Sequence, residues 1–348
     1  MRRAIELAVV ATLALIAAGC GKTVETREPD LSAQPLAAPA PKVATSQTDP
    51  NAPSPRKRLR IAVVTHGQAS DPFWAVVKSG IERAAHQLGV TVTYSAPDTT
   101  DLGRMRQLIL QAAAAHPDGL VVSIPDAKAL GPAIRSAVKA GIPVVSVNSG
   151  NDVSRGLGIL AHDGQPDEQA GFAAGQRMAA EGVQQAVCIK HETGNAGLDA
   201  RCKGFGRAMK KAGRHSSVLT VNLQDRHGAE QKIAAEAQTL HVDGMLTLGA
   251  GGTLPAIAGL RIDRLLGSVR LATFDLSPEV LTAIKSDQID FAVDQQPFLQ
   301  GYLPIVFLAE YGRYGLIPAK GTLVPTGPSF VTRQNVGAVQ ALTRQGIR

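Results

Sequence analysis

The stretch "LRIAVVTHGQASDPFWAVVKSGIERAAHQLG", residues 59–89, contains one complete strand-to-helix unit. Residues 59–66 are an apolar, β-branched run, which is typical of a buried strand. From Pro72 the apolar residues recur with helical spacing, and this pattern ends at Gly89. A strand that is apolar on both faces and is followed by a helix predicts a parallel sheet covered by helices on both sides.

Similar units recur along the chain in two consecutive series. "VTVTYSA", "GLVVSIP" and "IPVVSVN" continue the first series, and the second starts at residue 168 with "EQAGFAAGQRMAAEG". Two series of similar size predict an α/β protein with two doubly wound parallel-sheet lobes, and the return of the C-terminal segment adds the third crossing of a three-crossing hinge. The predicted lobes are N-terminal, residues 58–162 and 297–325, and C-terminal, residues 163–296 and 326–348.

The N-terminus has the pattern of a bacterial export signal. Arg2 and Arg3 precede an apolar run, Leu7 to Ala18, that is too short to span a bilayer. The run leads into "LIAAGC", which resembles a lipoprotein cleavage box. Residues 1–19 are therefore predicted to be a lipoprotein signal peptide with Cys20 as the lipidated residue. An ordinary secretory signal with an incidental cysteine is the alternative.

Residues 20–57 are rich in Pro, Ala, Ser and Thr and are predicted to be an extended tether, because such a segment buries too little apolar surface to fold. Tether and lipid together predict a module in the periplasm or at the cell surface, anchored to a membrane.

Most of the net charge of +7 lies near the N-terminus, since residues 61–348 hold 27 basic and 24 acidic residues. We expect no nucleic-acid partner, because no basic face is visible.

Cys188 and Cys202 are the two cysteines besides Cys20. An exported protein meets oxidising conditions, which favours a disulfide between them. Two buried thiols remain an alternative. A metal pair is disfavoured because it would need further ligands and His191 is the one nearby candidate, so neither a metal nor a cofactor is expected.

The motifs of common enzymes with a doubly wound fold are missing from the sequence. "THGQASDP" after the first strand is not a glycine-rich dinucleotide turn, and "GAGG" at residues 249–252 comes late and lacks the required spacing. No P-loop, catalytic Ser/His/Asp elbow or metal-spaced histidine set is present. We therefore expect a binding protein and not an enzyme.

Polar residues close each predicted strand, at the sheet edge where open parallel sheets bind ligands. The segments are "THGQASDPFW", "SVNSG", "LAHDG", "KHETGN", "TLGAGG", "TFDLS" and "VDQQP". In this order they resemble the periplasmic sugar-binding proteins of ABC importers, in the ribose-binding group of the type I periplasmic binding fold. The resemblance covers residues 58–335. It implies a monomeric lipoprotein that binds a sugar or polyol between its lobes and delivers it to ABC permease membrane subunits.

The resemblance also implies a ligand-binding set. Aromatic rings stack on the apolar faces of a sugar, a guanidinium donates to its hydroxyls, and carboxylates and amides bond its edge. Core packing of the aromatic pair, a surface salt bridge of the arginine and helix capping by the "FD" acid are alternative roles, although Ser277 is the better cap. The implied set is Asp71, Phe73, Trp74, Asn148, Ser149, Arg201, Asp275 and Gln295, with His162, Glu192 and Asn195 as further polar candidates.

Four positions, after three of the predicted strands, depart from a ribose-type site. Asn148-Ser149 stand where ribose-binding members carry Asp-Arg, Ile124 precedes Pro125 where they carry Asn, and Gly249 stands at another Asn position. We therefore expect a sugar or polyol other than ribose. A sensor that presents its ligand to a chemoreceptor or kinase is the alternative, and neighbouring genes for an ATPase and a permease would favour import.

Overall fold

The computed structural model describes residues 58–67, 71–99, 101–318 and 321–348. The predicted signal peptide, the lipidated cysteine and the tether lie outside these residues. The described chain forms two six-stranded sheets. The strands are β1 Arg60–Val64, β2 Thr91–Ser95, β3 Gly119–Ser123, β4 Val144–Val147, β5 Ala161–Gly164, β6 Gln185–Lys190, β7 His215–Thr220, β8 Gly244–Thr247, β9 Arg270–Phe274, β10 Phe291–Asp294, β11 Thr322–Pro325 and β12 Ser329–Thr332.

The two sheets share one topology. The first has the order β11-β5-β4-β3-β1-β2 and the second the order β12-β10-β9-β8-β6-β7. All neighbouring strands are parallel except β10 and β12, which pair antiparallel. The predicted fold class is confirmed. Because the parallel strands of each sheet end at one edge, the polar residues that follow them are brought together.

Helices cover both faces of each sheet. Val63 packs under one helix layer and Val64 under the opposite one, because successive side chains of a strand point to opposite faces. This explains why these strands are apolar throughout. The helices are α1 Pro72–Leu88, α2 Leu102–Ala114, α3 Ala127–Lys139, α4 Asn151–Ser154, α5 Asp167–Ala180, α6 Ala196–Lys211, α7 Arg226–Thr239, α8 Ala250–Ile262, α9 Pro278–Lys285, α10 Pro297–Tyr314 and α11 Val336–Thr343, with a 3-10 turn at Arg155–Leu157.

The first sheet lies between the α1/α10 layer and the α2/α3 layer. The second lies between the α5/α6 layer and the layer of α7, α8, α9 and α11. We call each sheet with its helices a lobe. Strand β11 joins the first sheet and β12 the second, so the chain passes between the sheets for a third time after Pro325. The lobe boundaries given above stay predictions.

Glycines let two helix pairs touch through their backbones. A β-carbon at Gly301 of α10 would lie 1.9 Å from the Val77 carbonyl oxygen of α1. In the other lobe, a β-carbon at Gly171 of α5 would lie 2.0 Å from the Arg201 carbonyl oxygen of α6. Real β-carbons do not approach so closely, so glycine is required at both points. The second contact holds Arg201 against the start of α5.

Elements near the C-terminus were not predicted from the sequence. These are β11, β12 and α11, and the short α4 after β4 was also missed. None of the helices in the described ranges is long and apolar enough to cross a membrane.

Candidate functional site

A cavity of about 470 Å³ lies between the lobes, where strand ends of both sheets meet. Its size is within the range of small-molecule sites. All eight residues of the implied ligand-binding set line it, and so do two of the three further candidates. Those residues are Asp71, Phe73, Trp74, Asn148, Ser149, Arg201, Asp275 and Gln295, with Glu192 and Asn195.

An aromatic corner is built at the start of α1. Asp71 caps this helix by accepting a 2.9 Å hydrogen bond from the Phe73 backbone N–H, and Pro72 occupies the first turn, where no N–H is needed. Phe73 and Trp74 meet edge to face, with ring centroids 5.1 Å apart. Both are 6% exposed, so they belong to the first lobe's core as well as to the cavity wall.

Two amides connect the lobes below the cavity. Asn148, after β4, donates from Nδ2 to Gln295 Oε1 at 3.3 Å, and Gln295 Nε2 donates to Asp275 Oδ1 at 2.6 Å. Ser149 Oγ donates to Asn148 Oδ1 at 3.0 Å. Gln300 of α10, which was not predicted, also joins this network through Asn148 and Gln295. The sequence-predicted residues Asn148, Ser149 and Gln295 are therefore hydrogen-bonded to one another across the crossing.

Asp275 directly follows β9 and is 9% exposed. Its Oδ1 accepts from Gln295, whereas Oδ2 accepts no hydrogen bond from any described residue. Burial raises the pKa of Asp275 to about 7, although Arg201 and the Gln295 hydrogen bond favour its ionised form. Ser277 caps α9 through Val280 N–H at 3.2 Å, which leaves the free Asp275 oxygen for a ligand.

Arg201 lies on α6 and is 4% exposed. Its Nε donates to Asp167 Oδ1 at 2.7 Å and its Nη1 to the Leu248 carbonyl oxygen at 3.1 Å. The guanidinium carbon also lies 4.6 Å from the centre of the Phe274 ring. The salt bridge weighed from the sequence therefore exists, but it is buried, and it fixes the guanidinium at the cavity wall.

The loop between β6 and α6 carries Glu192 and Asn195. Asn195 caps α6 through Gly197 N–H at 3.0 Å and donates from Nδ2 to Glu192 Oε2 at 2.7 Å. Burial raises the pKa of Glu192, but the neighbouring imidazoles, the Asn195 hydrogen bond and Arg201 together bring it below its usual value. Both side chains are thus held in place before a ligand arrives.

Cys188 of β6 and Cys202 of α6 flank this loop. Their sulfur atoms are 2.09 Å apart and their Cα atoms 5.7 Å apart, which is disulfide geometry. The alternative of two separate buried thiols does not fit this distance. A bond at this point ties the strand before the loop to the helix after it.

Two histidines of the cavity were not predicted as site residues. His66 follows β1, bonds Ser123 Oγ through Nδ1 at 2.7 Å and meets the Trp74 ring edge-on at 5.0 Å. His191 follows β6 and also lines the cavity. Burial lowers the pKa of both imidazoles. Their position at strand ends was the available signal, because "THG" and "KHE" are among the strand-closing segments.

The structure does not place His162 in the cavity. This residue lies inside β5, is 2% exposed and bonds Ser146 Oγ through Nδ1 at 2.8 Å. Burial lowers its pKa to about 4. Since its strand continues to Gly164, His162 is a sheet residue and not the strand-end residue that the segment "LAHDG" suggested.

The site offers aromatic surface, acceptor oxygens, amides and a fixed guanidinium. No group of three His, Cys, Asp or Glu in the described ranges is arranged to hold a metal ion. The arrangement therefore suits a compact ligand with apolar faces and several hydroxyl groups at its edge.

Comparisons with known proteins agree with this geometry. Residues 61–314 match the family described as the periplasmic binding protein domain. A crystal structure of a carbohydrate transporter from Acidothermus cellulolyticus, in complex with myo-inositol, is similar over 84% of this chain and 100% of its own, with 36% identity and a TM-score of 0.79.

Curated relatives are more distant. The xylose/arabinose-binding protein of Sulfolobus acidocaldarius is 26% identical over 299 residues, which cover 80% of this chain and 72% of that protein. The D-ribose/D-allose-binding protein of Pseudomonas aeruginosa is 24% identical over 257 residues, covering 69% and 77% respectively.

Proposed function

The chain belongs to the periplasmic binding protein family, and on that premise we propose that it captures a neutral sugar or cyclic polyol for an ABC importer. The related carbohydrate transporter from Acidothermus was crystallised with myo-inositol, and the curated relatives are named for pentoses and for D-ribose/D-allose. These names support polyhydroxylated rings as the ligand class.

The observation that carries the proposal is the Asp275 carboxylate in the aromatic-walled cavity. Its Oδ2 has no partner among the described residues, although the side chain is 9% exposed. This oxygen is an unused acceptor at the cavity wall, and a ligand hydroxyl would supply its donor. Phe73 and Trp74 would take the apolar face of the same ring.

The other ligand contacts remain part of the proposal. Arg201 would donate to ligand oxygens, and Glu192 is a further acceptor at the same cavity. Asn148 and Gln295 would contact the ligand from the crossing while holding the lobes together. The lobes would be residues 58–162 with 297–325 and residues 163–296 with 326–348.

The location of the protein also belongs to the proposal. Lipidation at Cys20, after removal of residues 1–19, would anchor the binding module to a membrane through residues 20–57. A monomer that moves on this tether would deliver its ligand to the membrane subunits of the permease. Mass spectrometry of the membrane-extracted protein tests the lipid directly, because an acylated N-terminal cysteine adds a characteristic mass.

Isothermal titration calorimetry with a panel of sugars and polyols tests the ligand class. The panel contains myo-inositol, scyllo-inositol, D-xylose, L-arabinose, D-ribose, D-glucose and D-galactose. We expect at least one member to bind the wild-type protein and to raise its melting temperature, since a ligand that binds only the native state stabilises it. A panel without any binding would contradict the proposal.

Asp275→Asn tests the carboxylate with little change in shape. We expect binding to weaken by about 2 kcal/mol, roughly 30-fold, because the amide replaces one of the two acceptor oxygens with a donor nitrogen. Asp98→Asn is the matched control, since Asp98 is exposed and lies outside the cavity. Affinity of Asp275→Asn within a factor of about two of the wild type would place the ligand elsewhere.

A further inference from the structure

The imidazole of His191 occupies the space beside Gly249. Gly249 follows β8 with φ −174° and ψ 158°, an extended conformation that any residue adopts. A β-carbon at this position would lie 3.0 Å from His191 Cε1 and 3.4 Å from His191 Nε2. A methyl group at Gly249 would therefore require the imidazole to move by a few tenths of an ångström, whereas the backbone itself would accept any residue.

The same point borders the free carboxylate of the cavity. The β-carbon position at Gly249 lies 3.7 Å from Asp275 Oδ2, the oxygen that accepts no hydrogen bond from the described residues. The His191 ring and this oxygen thus face one region of the cavity. A ligand hydroxyl bonded to Asp275 would lie close to the imidazole.

His191 has unused hydrogen-bonding capacity. Its side chain is 16% exposed, and Nδ1 is buried without a partner in the described chain. Nε2 lies 3.9 Å from Glu192 Oε1, which is too long for a hydrogen bond. Burial lowers the pKa of His191, so the neutral imidazole, with one donor and one acceptor nitrogen, is favoured near pH 7. Because Nδ1 is enclosed, Nε2 is the nitrogen that a ligand hydroxyl can reach, and a hydroxyl can either donate to it or accept from it.

We propose that His191 is a ligand-contacting residue that determines specificity, and that Gly249 is the steric partner that admits its ring. This inference rests on the proposed sugar or polyol binding. Gly249, which follows β8, has no polar side chain to offer at this part of the cavity wall. The imidazole of His191, which follows β6, supplies a polar group there instead. His191 and Gly249 are therefore coupled, because a side chain at Gly249 would displace the imidazole from its present position.

The first test is His191→Ala, with His191→Gln as a second variant that keeps a polar side chain. The probe is the panel member that binds the wild type most tightly by calorimetry. We expect His191→Ala to weaken its binding about tenfold, the size of one lost hydrogen bond, and to change the order of affinities across the panel. His215→Ala is the control, since His215 is exposed and lies on β7, outside the cavity.

A double-mutant cycle tests the steric pairing. Gly249→Ala should weaken binding in the wild-type background, because its methyl group meets the His191 ring. It should cost much less in the His191→Ala background, where the ring is gone. Equal costs in both backgrounds would overturn the pairing, and unchanged affinity and probe order in both His191 variants would overturn the ligand contact. If the wild type binds no member of the seven-compound panel, it is the proposed function that fails.

Discussion

The position of Trp74 in the aromatic corner depends on Gly67. A β-carbon at Gly67 would lie 2.0 to 2.2 Å from the nearest indole atoms, so the ring lies directly on the backbone after β1. The edge of His66 packs against the same ring. The shape of this cavity wall thus depends on a residue that carries no side chain.

Gly67→Ala should displace the indole and weaken ligand binding about tenfold or more, because the stacking surface is lost. Trp74 is the single tryptophan of the chain, so its fluorescence emission should move to longer wavelength as the ring becomes exposed. Gly337→Ala is the control, since a β-carbon there meets nothing within 4 Å. Unchanged emission and affinity in Gly67→Ala would contradict this account.

Two of the seven non-glycine residues with positive φ in the described ranges occupy equivalent points of the two lobes. Asn148 after β4 and Asp275 after β9 have φ values of 62° and 66°, in the left-handed region that most side chains avoid. Asn and Asp tolerate this conformation better than other non-glycine residues. Both residues also join the network through Gln295, so tertiary contacts hold the strained conformation at the cavity.

At the scale of elements, β5 contains a buried carboxyl group without a partner. Asp163 is fully buried, and neither side-chain oxygen bonds any described residue. Burial raises its pKa from 3.8 to about 8. Between pH 3.8 and about pH 8, Asp163 therefore keeps its proton in the folded chain and has lost it in the unfolded chain. The contribution of Asp163 to stability is therefore largest at low pH and declines as the pH rises toward 8.

Asp163→Asn should remove this pH dependence, because the amide is neutral and similar in shape. We expect the variant's melting temperature to exceed the wild type's by more at pH 8 than at pH 5, since the slope amounts to about 1.4 kcal/mol per pH unit at most. Asp98→Asn, at an exposed site, should show no such difference. A difference between Asp163→Asn and the wild type that does not grow with pH would show that the carboxyl is stabilised in its ionised form.

At the scale of the whole molecule, the lobes touch directly beside the cavity. The Ala196 N–H of α6 donates to the Pro125 carbonyl oxygen of the first lobe at 3.0 Å, in addition to the Asn148–Gln295 bond at the crossing. The loop that makes this contact is tied by the Cys188–Cys202 pair. The structure therefore has the features expected of the closed arrangement.

A ligand that contacts both lobes should shift the population toward this closed arrangement. Small-angle X-ray scattering should then show a smaller radius of gyration at saturating concentration of the best-binding panel sugar than without it. Asp275→Asn at the same concentration serves as the control, since its weaker binding should leave more of the open form. Identical scattering with and without ligand would contradict a closure driven by binding.

Much of the fold and of the candidate site was predictable because the signals are local. Apolar strands alternating with helical patterns determine the α/β class, and the residues that close those strands must collect at one sheet edge. Asp71 and Asp275 belong to such strand-closing segments, whereas Arg201 lies on α6 and was expected at the site through the family resemblance. The disulfide partners also followed from composition and compartment, since Cys188 and Cys202 are the two cysteines in the described chain.

Other features depended on contacts between distant parts of the chain. The salt bridge of Arg201 with Asp167 requires α5 and α6 to meet at Gly171, and His162 is a sheet residue because β11 pairs with β5. The fit of His191 against Gly249 joins the ends of β6 and β8. Sequence by itself determined that the strand-closing segments collect at one sheet edge, since strand ends are local signals, but it missed His66 and His191 and wrongly included His162. Tertiary structure alone decided which of them bond one another, because those distances depend on how helices and sheets pack.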